Sequence, residues 1–271
     1  MRPRSPSLDG FSLTLGAFAG TCVTLTLLYG LPELGVDAPP WWVPAMPAAA
    51  LGWAAAEQVP DALDRAAVRR WYLLAPALGV VPLAVISLAG AVWTPPAAVE
   101  SLRLPALALA FVGVLVAGAG SARRTDVVAE RETVHARAAL SEPIHSRLFG
   151  WVVTVPLTVV ALEFVLTGRV GLRNVVWSLG GIGVAALVVG FFDGPKRVEL
   201  RALDSGLVVS EVGTTGGDLV PWTRIRSVET DGAEVRLHRG LPRPARYRGD
   251  LPAPTEAKAF ADEVRRRRRS S

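Results

Sequence analysis

The sequence predicts a membrane-embedded bundle of six helices followed by a small antiparallel β domain that ends in a helix. Hydrophobic residues make up 51% of the 271 residues, and the mean hydropathy of +0.35 is too high for an ordinary soluble fold. The apolar residues come in blocks of roughly 18 to 22, the length with which a helix crosses about 30 Å of hydrocarbon. After residue 195 the blocks give way to alternating apolar and polar residues, which predict strands.

Six apolar blocks define the predicted transmembrane domain, residues 1–195. We expect its spanning helices near residues 11–31, 41–57, 71–93, 102–121, 148–166 and 175–192. The second block is the weakest, because it is rich in alanine, has Pro44 and Pro47 in its first turns and is only just long enough to cross. Trp41 and Trp42 at its start are typical of an interfacial aromatic belt.

The arginines predict the orientation of the bundle. Ten arginines lie before the first block, between the second and third, and between the fourth and fifth, whereas the alternate loops hold three. Positive residues are retained on the cytoplasmic side in short loops. The sequence therefore predicts a multi-pass protein of the cell membrane with both termini in the cytoplasm.

The connection between the fourth and fifth blocks, residues 122–147, is rich in residues that favour helices. Ala129–Glu132 and Ala136–Leu140 predict that the fourth helix continues into the cytoplasm. The sequence Ser141-Glu142-Pro143 then predicts a break.

Ionisable residues inside a membrane helix usually have a function, and they are nearly absent here. Glu163, between Leu162 and Phe164, is the one candidate for an intramembrane polar site; the alternative is that its carboxylate reaches the nearby surface. None of the three histidines lies in a predicted span, and no catalytic motif or metal-ligand spacing is present. We therefore expect no catalytic site, no cofactor and no metal.

Small residues recur at helical spacing, as in Gly16 and Gly20 and in Gly113 and Ala117. Such pairs allow helices to approach closely. We interpret them as packing contacts within the bundle; the alternative is a dimer interface.

Residues 196–271 form the predicted cytoplasmic domain. Alternating segments predict an antiparallel meander, with turns at Asp204-Ser205-Gly206 and Asp231-Gly232. A helix is expected from about Thr255, with Phe260, Ala261 and Val264 on its apolar face.

Two segments of this domain, Leu203–Val209 and Val220–Val228, resemble the short prokaryotic PH-like domains often attached to membrane helices. The resemblance covers residues 196–265 and implies an interaction domain with Trp222 in its core. Eukaryotic relatives commonly bind phosphoinositides through basic residues between the first two strands. We take that turn to be Asp204-Ser205-Gly206, which has no basic residue, so headgroup binding is not expected to carry over.

The formal charge of +5 equals the five-arginine run Arg265, Arg266, Arg267, Arg268 and Arg269. The high isoelectric point thus comes from a basic end and not a basic face, so no nucleic-acid partner is expected. The run is a candidate contact for an anionic membrane surface; a solvated, disordered helix end is the alternative.

These patterns favour a non-enzymatic membrane anchor that presents a PH-like interaction domain to a protein partner in the cytoplasm. A transporter or channel for an uncharged or lipidic solute, regulated by the PH-like domain, is the alternative. An intramembrane enzyme ranks third.

Overall fold

A computed structural model describes residues 9–92, 96–142, 163, 177, 180, 181, 196–212, 217–240 and 245–270. Its contacts divide the chain into two compact units, Met1–Arg124 and Thr125–Ser271. The predicted helices 148–166 and 175–192 lie outside the described residues, apart from four isolated helical positions.

Helices make up the described part of the first unit. They are α1 (Gly10–Glu33), α2 (Trp42–Glu57), α3 (Pro60–Val68), a 3-10 turn (Trp71–Leu73), α4 (Leu74–Val92), α5 (Ala97–Ser101) and α6 (Arg103–Arg131). The boundary between the two units falls inside the sequence of α6, whose last turns belong to the second unit.

Three segments in the described residues are long and apolar enough to cross a membrane: Gly10–Glu33, Trp71–Leu88 and Val99–Arg131. Four spans were predicted before residue 122, so one fewer segment meets these limits than the sequence predicts. The difference is α2, which has 16 residues. At about 1.5 Å per residue it is roughly 24 Å long, shorter than the hydrocarbon layer.

Glycines allow the helices of this unit to pack closely. A β-carbon at Gly16 would lie 2.6 Å from the carbonyl oxygen of Ala49 in α2. One at Gly113 in α6 would lie 2.6 Å from the carbonyl oxygen of Ala75 in α4. Real β-carbons do not come so close to a backbone, so only glycine fits. The interpretation of these small residues as packing contacts within the bundle is confirmed.

A seven-stranded antiparallel sheet and a helix form the second unit. The strands are β1 (Ala136–Glu142), β2 (Lys196–Ala202), β3 (Gly206–Glu211), β4 (Asp218–Pro221), β5 (Ile225–Asp231), β6 (Glu234–Arg239) and β7 (Ala245–Asp250), and the helix is α7 (Pro254–Ser270). The strand order is β4-β3-β2-β1-β7-β6-β5. This curled antiparallel sheet with its C-terminal helix confirms the PH-like fold expected from the sequence.

The central strand, β1, comes from a segment that the sequence predicts as helix. Helix α6 ends at Arg131, and Ala136–Leu140 pairs with β2, so the predicted helical continuation to Leu140 is wrong. Ala138 and Leu140 are each 3% exposed, whereas the alternate residues Arg137 and Ala139 are exposed. Burial of alternate side chains in the sheet outweighs the weak local preference of alanine for helix.

The core of this unit lies between the sheet and α7. Phe260, Ala261 and Val264 of the helix are buried against a cluster that includes Leu200 and Leu237. Leu203, Val208 and Leu219 form a second cluster with Val128, near the end of α6. The expectation that Phe260, Ala261 and Val264 form the apolar face of the C-terminal helix is confirmed.

Candidate functional site

Strand β1 precedes all the strands that the sequence predicts, so a different connection lies between the first two strands of the sheet. With β1 in front, the turn Asp204-Ser205-Gly206 joins the second and third strands. The expectation that it joins the first two strands is wrong, so its lack of basic residues says nothing about headgroup binding. Residues 143–195 connect the first two strands, and they lie outside the described residues apart from the four isolated positions.

The Asp204 turn is instead the point where several elements of the sheet domain meet. The indole N–H of Trp222 donates to the carbonyl oxygen of Asp204 at 3.0 Å. The backbone N–H of Ser205 donates to Oε2 of Glu132, just beyond α6, at 2.8 Å. Trp222 is 2% exposed, which confirms its expected place in the core.

The carboxylate of Asp204 extends these contacts to the C-terminal helix. Its Oδ1 lies 3.0 Å from Nε2 of His135 and also pairs with Nη1 of Arg267. The turn thus holds together the segment after α6, the 3-10 turn Trp222–Arg224 and α7. This arrangement fixes the C-terminal helix in position.

The arginine run lies on α7, which is helical to Ser270. Arg265 pairs with Asp262 at 3.0 Å, Arg267 with Glu263 at 2.9 Å, and Arg266 also pairs with Glu263. The run is therefore helical and partly ion-paired, and its contact with an anionic membrane surface stays a prediction.

Two arginines of the run also contact strand β5. Nη2 of Arg265 donates to the carbonyl oxygen of Val228 at 3.0 Å, and Nη1 of Arg268 donates to that of Arg226. Much of the predicted basic end is thus engaged with the domain's own sheet.

An ion pair between a buried arginine and an exposed aspartate links strands β6 and β4. Nη1 of Arg239, at the end of β6, lies 2.6 Å from Oδ2 of Asp218 in the edge strand β4. The Arg239 side chain is only 7% exposed. Nearby, burial and the negative charge of Glu142 raise the pKa of Tyr247 to about 12.

The solvent-facing side of the sheet carries an ion pair that strongly lowers the pKa of a carboxyl group. Hydrogen bonds from Arg236 and then from Arg248 lower the pKa of Glu234 from 4.5 to about 2. The Arg236 bond measures 2.8 Å. These groups brace the neighbouring strands β6 and β7.

The helical unit has a polar cluster that the sequence analysis missed. Nε of Arg123, in α6, lies 2.8 Å from Oδ1 of Asp64, and its Nη1 lies 2.5 Å from Oδ2 of Asp9, the N-cap of α1. Ser12, fully buried, donates its hydroxyl to Glu57. The arginine count assigns the segments that hold Arg123, Asp9 and Asp64 to the same side of the membrane. That assignment was the only indication in the sequence that these residues could meet.

Glu163 is helical and half-buried. Because most of its neighbours lie outside the described residues, its role as an intramembrane polar site stays a prediction. Within the described ranges, no group of three histidine, cysteine or acidic residues is placed to hold a metal ion.

No family model matches this sequence, and no curated protein matches it. Among solved structures, the chain is similar to a crystal structure of the DH/PH domains of p115-RhoGEF, at 11% identity and a TM-score of 0.29, covering 96% of this chain and 70% of that chain. It is also similar to an N-terminally truncated linker-DH/PH structure of p115-RhoGEF, at 11% identity and a TM-score of 0.27, covering 96% and 71%. The PH-like assignment rests on strand order and the C-terminal helix, not on these likenesses.

Proposed function

We propose that this protein is a multi-pass membrane anchor that presents a PH-like interaction domain on the cytoplasmic side of the cell membrane. Three membrane-length apolar segments support the anchor. Large apolar side chains on them point outward; Leu78 is 58% exposed and Phe111 is 66% exposed. Such a surface is costly in water and suited to lipid.

The observation that carries the proposal is the register of β1 and β2. Glu142 and Lys196 are cross-strand partners, so the intervening residues 143–195 leave the sheet and return to it at one place. A segment with two predicted spans, 148–166 and 175–192, meets this condition, because an even number of crossings returns the chain to the same side. This register supports a PH-like domain whose chain is interrupted by the predicted membrane hairpin and does not simply follow it.

Accessibility of single cysteines in intact cells tests the proposal. Cys22 is the only cysteine, so Cys22→Ser gives a background without thiols. Pro96→Cys, exposed between α4 and α6 and so one crossing away from the start of the PH-like domain, is expected to react with a membrane-impermeant maleimide from outside. Thr223→Cys, exposed beside Trp222, is expected to react only after the cells are opened. Labelling of Thr223→Cys in intact cells, or release of the chain by alkaline carbonate, refutes the proposal.

A further inference from the structure

Two arginines face each other across the central ladder of the sheet. Arg137 of β1 and Arg201 of β2 are direct cross-strand partners. Their neighbours Ala138 and Leu200 are buried in the core, so both arginines lie on the outer face of the sheet, because successive side chains alternate. Opposed side chains start about 5 Å apart, and like charges at that separation destabilise a ladder. The pair therefore weakens the fold where it stands.

The guanidinium of Arg201 is held against the sheet. Its side chain is half-buried, and its Nε is buried without a hydrogen-bond partner. Its Nη2 makes one long bond, 3.4 Å, to Oγ of Ser210, which leaves most of its N–H donors unused. Val208, the partner of Arg201 on β3, packs with Val128 near the end of α6. The direction of this guanidinium is thus fixed by its surroundings.

Carboxylates on the same face do not neutralise the pair. Glu199 lies two residues before Arg201 on β2, and Asp250 lies on the same face of β7. In the part of the chain that the structure describes, neither carboxylate forms an ion pair with Arg137 or Arg201. Arg197, exposed on the same face, adds a further positive charge. Two opposed guanidinia therefore lack an anionic partner there.

We propose that Arg137 and Arg201 bind a phosphate monoester dianion between them. A guanidinium matches the geometry of phosphate oxygens, and two guanidinia suit a group with two negative charges better than a carboxylate, which has one. Arg201 lies five residues along β2 from Lys196, about 17 Å from the connection between β1 and β2. The site is therefore not the one between the first two strands that eukaryotic relatives use.

The proposal goes beyond the proposed function. It does not require the membrane anchor, because both arginines belong to the sheet. The same phosphate group occurs in free inorganic phosphate and in the headgroup of phosphatidic acid, and the experiment distinguishes these two sources.

Hydrogen exchange of β1 and β2 in the full chain tests the site, because a bound ligand slows local opening. In phosphatidylcholine nanodiscs, inorganic phosphate is compared with chloride at the same ionic strength. In phosphate-free buffer, nanodiscs with phosphatidic acid are compared with phosphatidylglycerol nanodiscs of the same surface charge. Slower exchange with inorganic phosphate supports a soluble ligand, and slower exchange with phosphatidic acid alone supports a lipid ligand. Equal slowing by both lipids, or no slowing by either source of phosphate, overturns the proposal.

Arg137→Gln separates binding from structure. Without phosphate it is expected to slow exchange of the β1–β2 ladder about twofold, because it removes a like charge opposite Arg201. It is also expected to weaken phosphate binding at least about tenfold. Arg197→Gln, exposed on the same face but opposite Ser141, is the matched control and is expected to change neither result. Faster exchange of Arg137→Gln without phosphate, or equal loss of binding in both variants, overturns the proposal.

A peptide of alternating Glu and Thr supplies the competing class of ligand. If this peptide slows exchange of the β1–β2 ladder and phosphate does not, the arginine pair binds a protein partner and the proposal is wrong. None of these results depends on the cysteine labelling that tests the membrane anchor, so either proposal can fail alone.

Discussion

Removal of β1 is the perturbation that tests the architecture most directly. A fragment of residues 196–271 keeps six strands and α7 but lacks the strand between β2 and β7. The seven residues of β1 pair along β2. A ladder of that length has roughly seven hydrogen bonds, worth about 7 kcal/mol at about 1 kcal/mol each. Lost burial of Leu140 and Ala138 adds about 3 kcal/mol.

The sum of about 10 kcal/mol is comparable to the whole stability of a small domain, about 5–15 kcal/mol. We therefore expect the fragment 196–271 to be unfolded. A fusion of residues 132–142 to residue 196 through a short Gly/Ser linker is expected to fold, because Glu142 and Lys196 are cross-strand partners.

Urea unfolding followed by the fluorescence of Trp222, the only tryptophan after residue 195, compares the two fragments. Leu140→Asp in the fusion is the control, since it keeps the length of the strand but places a charge in the core. Cooperative unfolding of residues 196–271 alone, at the stability of the fusion, refutes the reasoning.

Three further predictions concern single side chains. Gly79→Val is expected to abolish the native helical unit, because its β-carbon would lie 2.1 Å from a backbone nitrogen of α6; Gly118→Val, which meets nothing within 4 Å, is expected to be tolerated, and thermal unfolding in detergent compares them. Burial raises the pKa of Tyr247 to about 12 from 10.0, so the unfolded phenol ionises first and stability falls between those pH values; Tyr247→Phe is expected to flatten that fall in urea unfolding of the fusion. Arg267→Met is expected to lower the urea midpoint of the fusion, and the more exposed Arg266→Met is expected to leave it unchanged.

Each of these predictions has a contrary result. Equal unfolding temperatures for the two glycine variants would show that the close contact between α4 and α6 is absent. If the alkaline loss of stability persists in Tyr247→Phe, groups other than Tyr247 cause that loss. Equal effects of the two arginine variants would mean that the Asp204 contact does not fix α7.

Long, uniform patterns in the sequence predicted their elements well. The apolar block 11–31 corresponds to α1 (Gly10–Glu33), since a long apolar run has few other solutions in a bilayer. The alternating segments after residue 195 correspond to strands, because their partners lie nearby in the sequence and short turns join them.

Features that depend on distant partners were not predictable from local patterns. Ala136–Leu140 is composed of helix formers, and only its pairing with β2, beyond residues 143–195, makes it a strand. The arginine count placed Arg123 on the same side of the membrane as Asp9 and Asp64, but only helix packing brings these two carboxylates to its guanidinium. Hydropathy predicts which residues avoid water, but it does not predict which polar groups form ion pairs.

The position of β1 also has a consequence for synthesis. The ribosome completes β1 before residues 143–195, and its neighbours β2 and β7 only afterwards. At about 5–20 residues per second, β1 waits for seconds with unpaired backbone groups on both sides. If only one of the two predicted spans crosses the bilayer, β1 and β2 lie on opposite sides and cannot pair. Completion of the sheet therefore requires an even number of crossings between residues 143 and 195.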